Sequence, residues 1–171
     1  GLFHLAKIVK GKPLVGIHMP KPPNSEPFSE PYIFSFLGML GLPLVPADDI
    51  NANAESAIFT VHALKEPGFS GMLNSYLKSG KPALITDGLA KLLSDQKLLE
   101  FKNLTILKTK GDPKSLLKMK QEDLALIRNA LLSPLGVKFD APNKVSLYLL
   151  GDNCFILENF NDTPVDVIIE L

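Results

Sequence analysis

A chain of 171 residues, 46% hydrophobic and 21% charged, is long enough to bury the core of one ordinary domain, or of one domain with a small appendage, and too apolar to be disordered. Eighteen basic residues balance eighteen acidic ones, with no run of Lys and Arg interleaved with aromatics, which excludes an electrostatic nucleic-acid footprint. The single cysteine, Cys154, excludes an internal disulfide and a multi-cysteine metal site, and no apolar run reaches the roughly 18 residues needed to span a bilayer.

In chain order, "LFHLAKIVKG" reads as a helix whose apolar residues Leu2, Phe3, Leu5, Ile8 and Val9 need a surface to cover. The chain starts at Gly1 rather than Met and ends inside the apolar run "VDVIIEL", a pattern expected of a piece cut from something longer. "KPLVGIHM" predicts the first strand, followed by a loop over 20–31 stiffened by five prolines. Ile33, Phe36, Leu37 and Leu40 share one helical face, with Gly41 placed to end that helix. "LPLVP" predicts a second strand and "SAIFTVH" a central third, joined by "ADDINANAE", too short for a crossover helix.

The clearest helix carries Phe69, Met72, Leu73, Tyr76 and Leu77 at helical spacing and is closed by "SGK". "PALITD" predicts the fourth strand, a helix lined by Leu89, Leu92, Leu93 and Leu99 follows, and "NLTILKT" predicts the fifth. Asp112 and Pro113 open a helical region whose stripe of Leu124, Ile127 and Leu131 runs to Pro134. This alternation of strand and helix predicts an α/β fold: a flavodoxin-like parallel sheet with helices on both faces. From residue 137 the pattern changes to three apolar runs separated by "GDN" and "NFNDTP", which predicts a C-terminal antiparallel β meander. The expected organisation is therefore an α/β domain over 1–136 and a β appendage over 137–171, packed on or extending it, since about 30 residues alone bury too little surface.

Candidate chemistry is sparse. There is no GxGxxG, GxxxxGK[ST], HExxH or GxSxG, so nothing calls for a dinucleotide, a nucleotide phosphate, a zinc-protease centre or a serine nucleophile, and no cofactor is expected. His18 and His62 are read as closing the first and third strands, whose carboxyl ends face one crevice in a doubly wound sheet. With Asp87, at the turn "ITDGL", they are the candidate ligand-binding residues, a minimal set for a metal, an anion or a sugar hydroxyl. The bland alternative gives each histidine a loop backbone partner and makes Asp87 the N-cap of the next helix. Asp48 and Asp49 are acids by type but also suit a turn, and His4 stands alone on the first helix. The proline-rich loop is either a cover for the crevice, presenting Phe28 and Tyr32, or a rigid connector. Lys114, Lys118 and Lys120 read as a solvated face, and Cys154 as a packed thiol on a strand.

The order "LGMLGLPLVPAD", "AIFTVHAL" and "YLKSGKPALITDG" resembles the class I glutamine-amidotransferase-like fold as it occurs in the β-galactosidase trimerisation domain, and "LYLLGDNCFILENFNDTPVDVIIEL" is similar to the C-terminal β segments of such glycosidases. Ser79, Gly80 and Lys81 stand where that family usually has paired glycines. In catalytic members of the superfamily a cysteine nucleophile occupies a strained turn after a strand. The corresponding turn here is "ITDGL", with Asp87 and no cysteine. The resemblance thus implies no catalytic residue, and a non-catalytic accessory or oligomerisation domain of a larger, secreted or periplasmic bacterial glycoside hydrolase-like protein. Its partners would be the missing catalytic domain or sister subunits, with carbohydrate as a possible ligand and no nucleic acid. The rival is a small hydrolase or ligand-binding enzyme using His18, His62 and Asp87.

Overall fold

Five short strands with nearly continuous apolar character form the centre of the molecule, in a computed structural model that describes residues 2–171. They are β2 (Ile17–Pro20), β3 (Leu44–Ala47), β4 (Ala57–Phe59), β5 (Ala83–Thr86) and β6 (Leu104–Leu107), all parallel and ordered β3-β2-β4-β5-β6. The first strand of this sheet thus sits between the second and the third, the flavodoxin-like order. Every residue of β2, β4 and β5 is buried, as expected of strands covered on both faces.

Side-chain alternation sends Ile58 and Leu84 to one face, and Ala57, Phe59, Ala83 and Ile85 to the other. On the first face lie α2 (Ile33–Met39) and α5 (Gln121–Leu132), contributing Ile33, Leu37, Leu124, Ile127 and Leu131. On the second, α3 (Phe69–Lys78) and α4 (Asp87–Leu92) contribute Phe69, Leu73, Tyr76, Leu77 and Leu89. Gly41, at φ 76, ends the α2 segment as the sequence predicts. It lies against the Phe139 ring and the Val145 carbonyl, leaving no room for a side chain.

Two helical segments are shorter than their leucine patterns imply. After α4 the chain continues as a separate 3₁₀ turn, Gln96–Glu100, and α5 is preceded by another, Pro113–Lys118, capped by the Asp112 carboxylate accepting from the Lys114 amide. The N-terminal helix α1 is present at Leu2–Val9. Its expected apolar face rests largely on Leu2, Phe3 and Leu5, whose side chains, like Gly1, lie outside the described residues.

"KPLVGIHM" is not one strand. Gly16, at φ 146, divides it, so that β1 (Leu14–Val15) pairs antiparallel with β8 (Val145–Leu150) while β2 enters the parallel sheet. β8 in turn pairs with β9 (Cys154–Asn159), the hairpin predicted around "GDN". The last strand, β10 (Ile168–Glu170), returns to β7 (Lys138–Asp140), a short strand the apolar pattern does not announce, rather than to β9. Val145, Leu147, Leu149 and Phe139 pack into the same cluster as Leu37 and Leu131, so the antiparallel strands rest on the α2–α5 face. Cys154 is free and half-buried at the start of β9.

Candidate functional site

In a sheet of this order the neighbours β2 and β4 diverge toward opposite sides, and the crevice beyond their carboxyl ends is where ligands bind in related architectures. Here the proline-rich segment 20–31 leaves β2 and crosses that crevice. Its residues bond to what they cover. The Ser25 hydroxyl lies 2.8 Å from Nδ1 of His62, the Asn24 carbonyl accepts from Nζ of Lys65, and the Glu30 side chain passes into the interior. A cleft of about 520 Å³ remains between this segment and the end of β3, lined in part by Lys21, Ser25, Ala47 and Asp48.

Each of the three candidate residues has its own partners. His18 is the second residue of β2 rather than its end. Its Nε2 lies 2.9 Å from the Asn51 amide and 3.0 Å from the Asp49 carbonyl, so the imidazole fixes the loop after β3. His62 lies three residues beyond the end of β4, in the 3₁₀ turn Val61–Lys65, its ring tilted against Phe34 at a centroid distance of 4.9 Å. Asp87 is not the cap of α4. Thr86 takes that place, its hydroxyl accepting from the Leu89 amide, and Asp87 is the first helical residue. The Asp87 carboxylate instead reaches β6's exit, accepting from the amide and hydroxyl of Thr109 at 2.9 and 2.7 Å and from the Lys110 amide at 3.0 Å. Among the described residues no hydrogen bond joins any two of the three, and no three His, Cys, Asp or Glu side chains converge as metal ligands would.

Glu30, which the sequence reading passed over inside a proline-rich connector, is the most deeply placed acid of the crevice, with no solvent exposure. One carboxylate oxygen accepts from the Val61 amide at 3.2 Å. The other has no hydrogen-bond partner and lies against the Cα of Gly88, where a Cβ would collide with it. Burial pushes this carboxyl above the usual range, opposed by the Thr86 hydroxyl and the Val61 amide. No local feature of "SEPY" announces this, since the burial depends on residues 31 to 58 positions away in the chain.

Replacing Glu30 with Gln keeps an acceptor for the Val61 amide and removes the titrating group, so the variant is expected to lose the pH dependence of stability that Glu30 contributes. Glu30→Ala strands the amide and is expected to cost about 1–3 kcal/mol. Urea unfolding of both variants checks this, and equal midpoints would contradict it.

The two histidines set a second, opposite dependence on pH. Burial holds His18 below 6.5 despite its Asp49 contact, and burial together with the Lys21 charge does the same for His62. The unfolded chain therefore binds more protons than the folded one just below pH 6.5, so stability falls as pH drops from 6.5 toward the lowered values. Glu30 acts the other way: its contribution is complete below 4.5 and is lost as pH rises through its raised value. Unfolding midpoints measured on either side of pH 6.5 should drop on the acid side, and less so in His62→Gln; a flat profile there would refute the assignment.

In comparison with known families, residues 136–171 fit the model described as "Probable glycosyl hydrolase, C-terminal domain". No curated protein and no solved structure matches the chain significantly. The matched segment covers β7 to β10, the strands set on the α2–α5 face, and is consistent with an accessory domain of a glycoside hydrolase-like protein.

Proposed function

We propose that this chain is a non-catalytic accessory domain of a larger glycoside hydrolase-like protein, of the amidotransferase-like trimerisation type, and that it serves oligomerisation or supports a catalytic domain. The observation that carries this reading is the state of the crevice. Where an enzyme of this order would admit substrate, the chain's own loop lies across it, bonding Ser25 to His62 and seating Glu30 against Gly88. The turn after β5, which holds a nucleophile in catalytic relatives of this fold, offers Asp87, whose carboxylate is already engaged by three donors. Three satisfied contacts hold the group below the ordinary carboxylate range despite the opposing effect of burial, a state suited to fixing a loop and unsuited to accepting a proton. The family match of residues 136–171 supports the glycosidase setting. Export from the cytoplasm is part of the same proposal.

The test has two arms. The chain alone, mixed with aryl glycosides and simple esters, is expected to show no turnover, while light scattering reports a defined oligomer or a stable complex with the remainder of its parent protein. Turnover abolished by Asp87→Asn or His62→Ala would overturn the reading and restore the enzyme alternative.

A further inference from the structure

We propose that the groove between β6, the 3₁₀ turn Pro113–Lys118 and α5 binds an anionic oligosaccharide carrying carboxylate or sulfate groups. This rests on the accessory reading above, because the glycosidase setting is what favours a glycan among anionic ligands. The groove, about 610 Å³, lies on the opposite side of β5 from the plugged crevice, along the outer edge of the sheet. Ligand sites of this size are ordinary for small molecules.

Four lysines line it, Lys108, Lys110, Lys118 and Lys120, against one acid, Asp123. In a chain whose charges balance as a whole, this is a local excess. None of the four ammonium groups has an ion-pair or hydrogen-bond partner among the described residues. The ion pairs there are Lys81–Glu55 and Lys138–Glu170, well apart in the chain. The floor is aliphatic and open to solvent: Ile106 is 39% and Leu126 68% exposed, large values for such side chains.

The lysine-bearing wall is fixed in advance. Asp87 holds the Thr109 and Lys110 amides, keeping Lys110 at φ 55, a conformation costly for a side-chain-bearing residue. The Ser115 hydroxyl donates to the Thr109 carbonyl from the other side. A preset wall spares the ordering cost that otherwise weakens binding to a loop. No aromatic ring lines the groove, so bases and neutral sugars find no stacking platform and charge must supply recognition. α5 then leads directly toward the segment matched to glycosyl hydrolase C-terminal domains.

Calorimetric titration of the chain tests this with oligogalacturonides for the carboxylate class, sulfated galactan oligosaccharides for the sulfate class, and neutral galacto-oligosaccharides, poly-glutamate and duplex DNA as comparisons. One or both anionic glycans are expected to bind, more weakly as salt rises, with the neutral sugar silent. The double variant Lys118→Glu, Lys120→Glu, both exposed, should weaken binding about tenfold or more without shifting the unfolding midpoint. Leu126→Ser should weaken it independently. Binding of neither anionic glycan, equal or tighter binding of poly-glutamate or DNA, or an unaffected double variant overturns the proposal. If glycans fail to bind while the chain remains inactive and oligomeric, the groove assignment alone falls; glycoside turnover by the chain brings down the accessory reading instead.

Discussion

Arg128→Ala is expected to cost about 3–5 kcal/mol, the largest effect of any single polar substitution in this chain. The guanidinium is fully enclosed, yet among the described residues no carboxylate pairs with it. Its donors instead serve backbone carbonyls: Nε to Leu40 at 2.8 Å, Nη1 to Ala141 at 2.5 Å and Nη2 to Pro142 at 3.3 Å, with the plane over the Phe139 ring at 4.9 Å. Burial lowers its pKa to about 10, with Asp140 opposing, so it remains charged at neutral pH. Truncation removes the side-chain donor from the Leu40 and Pro142 carbonyls, leaves the Ala141 carbonyl with Gln121 alone, and opens a void between α2, α5 and the segment leading into β8. Arg128→Lys keeps the charge but not the planar fork, and should recover only part of the loss. Urea unfolding measures the cost, and hydrogen exchange should show residues 138–150 losing protection first; a loss below about 1 kcal/mol would mean the carbonyls find other donors.

Gly16→Ala is expected to destabilise by about 2–4 kcal/mol, combining a disfavoured backbone angle with a steric conflict. At φ 146 only glycine is at ease, and a Cβ there would run into the Pro43 carbonyl oxygen. That oxygen is engaged already, accepting from the Ile17 amide at 2.7 Å, so the conflict falls on the bond that starts the β2–β3 ladder. Gly151→Ala serves as a comparison: it also has positive φ, but its Cβ would meet only the flexible Lys12 side chain at ordinary contact distance, and it should cost less. If both variants lose the same stability, backbone angle alone explains the effect and the proposed collision is absent.

What the sequence revealed and what it hid divide along physical lines. The parallel sheet was legible because burial on both faces writes itself as uninterrupted apolar runs, and the helices because Leu73, Tyr76 and Leu77 repeat at helical spacing. Gly16 was hidden because a glycine within an apolar run reads the same whether the strand continues or changes sheets. Arg128 was hidden for a related reason. It sits four residues after Leu124 and one after Ile127, on the buried face, but an arginine in a helix is ordinarily solvated and its three partners are remote in sequence. The candidate residues were found by type and by position near strand ends, whereas their actual partners, Asn51, Ser25 and Thr109, come from loops whose paths no periodicity fixes. Glu30 needed the tertiary course of a proline-rich segment before its burial could be known.

The division at Gly16 also has a mechanical side. Val15 and Ile17 are two positions apart yet are gripped by different ladders, one to β8 and one to β3 and its neighbours. Tension arriving through α1 would first strain the two-residue pairing with β8 and could then pass to the longer parallel ladder behind it. A domain tethered on that side would yield in two stages under a pulling force, shedding a short outer clasp before the central layer began to tear.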